Sequence, residues 1–182
     1  MDILRTTAAQ KNHFFFALLL KMAYNYNMDV STINPFLSAC EEAFQTMFNI
    51  NPQHKDPYLL NPGSTHMWEV SGLVKVSGDE SGVVVFRLHK RLAEKMLELS
   101  GITIESPDEM EPMEKDLVSE FTNIITGNAV SAMQNKSIFV SAPVIRAGEN
   151  HPIPWPAKTR IIGVPFYTKQ GIFEVDLSFL GM

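Results

Sequence analysis

The 182-residue sequence has one cysteine, Cys40, so no internal disulfide can form and no multi-cysteine zinc cluster is available. It lacks an excess of basic charge: 15 Lys and Arg stand against 20 Asp and Glu, a net charge of -5. A nucleic-acid binder needs a basic surface, so this balance argues against that class. It lacks a membrane-spanning run as well. The most apolar stretch, residues 14–20, has seven residues where a bilayer core needs about 20. Lys21 closes that run and no small-x-small cleavage site follows, which argues against a secretory signal. His13, His54, His66, His89 and His151 show no ligand spacing, so no metal site is expected. A Gly-Lys-Ser/Thr phosphate loop and a Gly-x-Ser-x-Gly nucleophile elbow are both missing, and the Ser/Gly-rich segment 77–82 reads as a turn. What is present is 45% hydrophobic content with modest net charge, which excludes disorder. The expectation is one core-forming domain with a short appendage, in the reducing cytoplasm.

Along the chain, residues 1–31 form a unit of their own. A helix over 14–24 would be apolar on every side except Lys21, and so buried. Asn34 and Pro35 read as the N-cap and first position of the next helix, carrying Phe36, Leu37, Cys40, Phe44, Met47 and Phe48 at helical spacing. Loops are expected at 51–57 and 61–64. Residues 67–76 and 83–88 form a hairpin, 91–99 a short helix, and 111–134 a long one. Strands follow at 138–145, 160–168 and 172–180, with a proline-rich loop at 151–156. Adjacent meanders make the sheet largely antiparallel with helices packed on it, an α+β domain.

The long helix is the informative element. Leu117, Val118, Phe121, Ile124, Ile125 and Ala132 project to one face. Asp116, Glu120, Asn123, Gly127 and Ser131, spaced by four, three, four and four, share the other. Such residues suit either a solvated helix face or a binding face. Gly127 costs about 1 kcal/mol relative to Ala, so it either relieves packing against a neighbouring helix or lets a partner approach over Asn123. Asn128 falls on the apolar face and reads as a structural hydrogen-bonding residue. The acidic group Glu105, Asp108, Glu109, Glu111 and Glu114 suits a helix start.

The run Asp116-x3-Glu120-x2-Asn123, continuing Ile124-Ile125-Thr126-Gly127-Asn128-Ala129, resembles the signature of the CheC/CheX chemotaxis phosphatases. The start Ile33-Asn34-Pro35-Phe36-Leu37, the hairpin through Ser71-Gly72 and Gly82-Val83-Val84-Val85, and Val164-Pro165-Phe166 with Gly171-Ile172-Phe173-Glu174-Val175 resemble it too. The likeness covers residues 32–182 and leaves 1–31 as an N-terminal helical extension. It implies dephosphorylation of the phospho-aspartate of a CheY-type receiver domain. By that resemblance Asn123 orients the attacking water and Glu120 pairs with the receiver's lysine, while Asp116 and Gly127 meet the partner. The chain itself would bind no cofactor, the Mg²⁺ residing in the receiver. A homodimer joined at a sheet edge is also implied. The alternative is a non-catalytic module of the same fold that binds a receiver or the flagellar switch. CheC-type members carry a second site on the first long helix. Here that helix offers Ser38, Glu42 and Gln45, whose extra methylene in place of Asn misplaces a water, so ordinary helix surface is expected.

Overall fold

The computed structural model describes residues 30–133 and 136–180, and the expected helix over 14–24 lies outside them. The elements are α1 (Val30–Phe48), β1 (Gln53–His54), β2 (Tyr58–Leu59), β3 (Val70–Gly78), β4 (Gly82–Leu88), α2 (Lys90–Leu99), α3 (Pro107–Ala132), β5 (Ile138–Val140), β6 (Val144–Ala147), β7 (Ile162–Tyr167) and β8 (Ile172–Phe179). Every strand pairing is antiparallel, in the order β1-β7-β8-β4-β3-β5, with β2 also on β7 and β6 also on β3. The architecture is the α+β arrangement expected.

Alternation along the central strands separates two faces. Val70, Val74, Val76, Val84, Phe86, Leu88, Phe173, Val175, Leu177 and Phe179 point toward the helices and are buried with Phe36, Phe44, Phe48 and Phe121. Phe44 holds this core together. It stacks on Phe173 at 4.4 Å and meets Phe121 edge-on at 4.8 Å between centroids, tying α1 to α3 and both to the sheet.

The opposite face is covered by loops. Ile153 and Trp155, from the proline-rich segment, pack on Leu73, Val83 and Val85. His151 pins that segment: its Nε2 lies 2.6 Å from Ser71 Oγ and its Nδ1 2.8 Å from the Gly148 carbonyl oxygen. Beside it, buried Arg87 reaches Glu174 at 2.5 Å and Asp176 at 2.6 Å, and the Tyr58 hydroxyl donates to Glu174 at 2.7 Å.

Three sequence expectations need correction at prolines. Helix α1 already includes the residues from Val30, so Pro35 sits inside it rather than at its first position. Buried Thr32 and Ile33 supply packing for the extra turn. Helix α3 begins at Pro107, four residues earlier than read, because proline is suited to the first turn, and it runs on through Pro112. The single strand expected over 138–145 is two. Val76 pairs with Val140 while Leu73 pairs with Val144, so three steps on β3 face four on the other strand. The extra residue is a bulge at 141–143, where Pro143 cannot donate to the ladder. Within the expected loop 51–57, Gln53–His54 pairs briefly with β7.

Gly72 sets the seat of α3. A Cβ there would run into Thr122 Oγ1 and lie 3.0 Å from Thr122 Cβ. Thr122 turns its hydroxyl inward to the Val118 carbonyl at 2.6 Å, so this close approach leaves no polar group unmet. Gly72→Ala is expected to destabilise the fold by about 1–3 kcal/mol, read as a lowered urea midpoint at unchanged slope.

Candidate functional site

Burial along α3 follows its sequence. Glu114, Leu117, Val118, Phe121, Thr122, Ile125, Thr126 and Ala129 are buried. Asp116, Glu120, Asn123, Gly127 and Ser131 are all exposed on the ridge facing away from the sheet. The helix rise of about 1.5 Å per residue puts Glu120 roughly 4.5 Å along the axis from Asn123, and Gly127 roughly 6 Å beyond it. The side chains of Asp116, Glu120 and Asn123 form no hydrogen bond or ion pair with any described residue. A carboxylate and a carboxamide are therefore free on a convex surface. Ser131 donates back to the Gly127 carbonyl at 2.8 Å, and Lys115, the basic neighbour on this helix, is held by Glu111 at 2.6 Å.

Gly127 has open space around it: a Cβ there would meet nothing within 4 Å. Packing among the described residues thus gives no reason for glycine, so of the two readings left open by spacing, relief of packing against a described helix is removed. The bare patch beside Asn123 remains available to an approaching surface.

Two placements differ from the sequence reading. Ala132 is exposed, not part of the apolar face. Asn128 is exposed too, and bonds to no described strand or loop. It lines a groove of about 370 Å³ between the helices with Asn34, Pro35, Ser38, Ala39, Glu42 and Ala132. Seven residues after Phe121, it shares that residue's side of the helix. At Phe121 the large rings of Phe44 and Phe48 fill the interhelical space. At Asn128 the facing residues are small and leave it open.

Helix α1 divides its own triad. Ser38 and Glu42 line the groove, but Gln45 does not. Asn49, at φ 54°, closes α1 in the left-handed conformation, with the Ile50 amide donating to the Phe44 carbonyl at 3.2 Å. Gln45 Nε2 donates to Asn49 Oδ1 at 3.0 Å, so its carboxamide is engaged at this cap. Among the described residues no three His, Cys, Asp or Glu side chains converge as metal ligands, and no helix is long and apolar enough to cross a membrane.

A family model described as chemotaxis phosphatase CheX matches residues 70–167, a span that includes all of α3. Solved structures are similar over the body of the chain. A CheC-like superfamily protein from Shewanella sp. PV-4 is 28% identical with a TM-score of 0.72, covering 84% of this chain and 99% of that one. A chemotaxis protein CheX from Desulfovibrio desulfuricans is 26% identical with a TM-score of 0.73, covering 82% and 99%. A CheX–CheY–BeF3–Mg²⁺ complex from Borrelia burgdorferi shows the same fold at 23% identity, with a TM-score of 0.68 and coverage of 81% and 96%. No curated protein matches at a significant level.

The open space at Gly127 makes a test possible without reference to any partner. Gly127→Ala is expected to stabilise the isolated protein by about 1 kcal/mol, because helix propensity improves and nothing clashes. A chemical-denaturation midpoint that falls instead would reveal a packing role.

Proposed function

The chain belongs to the chemotaxis phosphatase CheX family, and we propose that it hydrolyses the phospho-aspartate of a CheY-type receiver domain, using Asn123 and Glu120. The observation that carries this reading is the pair itself, free and outward on the one long helix inside the family match. The Borrelia relative in complex with CheY and BeF3 supports a partner of this class.

The chemistry asks little of the enzyme. An acyl phosphate is already activated, and its hydrolysis responds chiefly to positioning and charge neutralisation. A water oxygen bonds to phosphorus in line with the breaking P–O bond, giving aspartate and inorganic phosphate. The Asn123 carboxamide can hold that water, with Oδ1 accepting its hydrogen and Nδ2 left to donate to a phosphoryl oxygen. Glu120 pairs with the receiver's lysine ammonium and sets the register of the helix in the partner's site. Asp116, one turn before Glu120, and bare Gly127, one turn after Asn123, border the contact. Mg²⁺ in the receiver neutralises phosphoryl charge. Such a partner places the reaction in the cytoplasm.

A two-fold dimer belongs to the same proposal. The edge formed by β5 and β6 carries exposed Phe139, Val140 and Val144, and among the described residues it pairs only with β3. Joining two such edges would satisfy backbone groups and cover apolar side chains. Light scattering is expected to give twice the chain mass at micromolar concentration, and Phe139→Glu to reduce it to one.

The decisive measurement is loss of phosphate from a receiver charged with acetyl phosphate in Mg²⁺. Asn123→Ala is expected to lower the acceleration roughly a hundred-fold at unchanged melting temperature. Glu120→Ala is expected to raise KM as well as lower kcat. Full activity in Asn123→Ala overturns the assignment.

A further inference from the structure

We propose that the groove between α1 and α3 is the selective half of the receiver contact, taking a cationic side chain of the receiver between Glu42 and Asn128. The inference rests on the reading of Asn123 and Glu120 given above and adds a partner-selecting surface to it.

Three observations support the assignment. The groove flanks the proposed contact: Asn128 follows Gly127 directly, about 7.5 Å along the axis from Asn123 and roughly 140° round the helix from it. On this proposal the receiver seated over the α3 ridge also reaches round to this flank. Next, the groove is lined by free polar groups. The side chains of Asn34, Ser38, Glu42 and Asn128 make no hydrogen bond or ion pair with any described residue. Third, its charge is of one sign. Glu42 is the charged residue of the lining and no Lys, Arg or His shares it. A carboxylate and a carboxamide oxygen facing across a groove floored by Pro35, Ala39 and Ala132 suit a lysine or arginine, whose stem lies on apolar surface while its head meets the acceptors.

This gives Ser38 and Glu42 a role other than a second hydrolytic site. Gln45, which would have to hold the water there, is turned to Asn49, while Ser38 and Glu42 open toward α3. The two helices then form one composite surface, with α3 supplying the chemistry and both supplying the fit.

The test uses steady-state dephosphorylation of one CheY-type receiver charged with acetyl phosphate, with the full-length protein throughout. Glu42→Lys is expected to raise KM about ten-fold, Glu42→Gln and Asn128→Ala several-fold, with the loss falling on KM rather than kcat. The salt dependence of kcat/KM should flatten in Glu42→Gln, because a screened attraction has been removed. Melting temperatures of these exposed variants check that folding is intact. Unchanged KM in Glu42→Lys and Asn128→Ala, together with lost activity in Asn123→Ala, overturns the groove proposal and leaves the phosphatase reading standing. A fall in kcat at constant KM also overturns it, since that would put Glu42 at the chemistry. Full activity in Asn123→Ala fails the underlying reading instead.

Discussion

Where Thr122 meets Gly72, the helix that carries the site and the central hairpin come closer than any side chain on β3 would permit. The contact has two consequences for α3. Thr122 must turn its hydroxyl onto the helix's own backbone, which it does at the Val118 carbonyl, and Thr126 repeats the solution at the Thr122 carbonyl at 2.7 Å. The rotation of the helix is then fixed, because a buried threonine face on one side sends Asp116, Glu120 and Asn123 to the other. The phenylalanine core secures the same orientation from a second direction, with Phe121 held between Phe44 and Phe86 at 4.8 and 5.1 Å. A helix held from the sheet and from α1 together cannot roll, so its outward ridge stays where it is aimed.

Most of this arrangement could be read from periodicity. The hairpin, the short helix, the last two strands and the outward ridge all follow from apolar spacing, because each element is buried on a definite face. What escaped depended on neighbours. Asn128 projects onto the apolar side of α3, yet whether that side is covered at a given turn depends on the residues of α1 opposite it. Ring-bearing Phe44 and Phe48 close the space at one end, and Ser38 and Ala39 leave it open at the other. The prolines misled in a related way. Pro35 and Pro112 are breakers by propensity, but tertiary packing carries both helices through them. Pro143 was passed over in the opposite sense, since the strand read straight through it is broken there by a bulge.

The second face of the sheet shows a further limit of pattern reading. In β8, Glu174, Asp176 and Ser178 alternate with Phe173, Val175, Leu177 and Phe179, which ordinarily means one wet face and one dry one. Here both are buried. Arg87 meets two carboxylates, and burial pushes the Asp176 carboxyl well above its usual range while the guanidinium pulls the other way. Burial and Glu174 likewise push the Tyr58 phenol up. Such a network is weak support for stability, since its members all lose water. Its firmer effect is on register. A one-residue slip of β8 against β4 would drive Glu174 and Asp176 into the phenylalanine core, so the pairing that leaves Arg87 between them is strongly selected. The strands beneath α3 are thereby held in one alignment.

A fixed platform matters because the proposed chemistry depends on placement more than on reactive groups. A protein that activates its own nucleophile needs a sheltered cleft with shifted pKa values. A protein that lends one amide to an active site already assembled on its partner needs the reverse, a convex and rigid projection able to enter that site. The α3 ridge has this form: Asp116, Glu120 and Asn123 are exposed with no side-chain partner among the described residues, and the neighbouring concavity lies on its flank rather than at its crest. The division has an evolutionary consequence. On the proposed reading, residues at the crest would be constrained by the geometry of hydrolysis, whatever the receiver, whereas groove residues such as Ser38, Glu42 and Asn128 could change without disturbing the aim of Asn123. Under that proposal, partner choice could drift along one side of the helix while the reaction stayed fixed on its top.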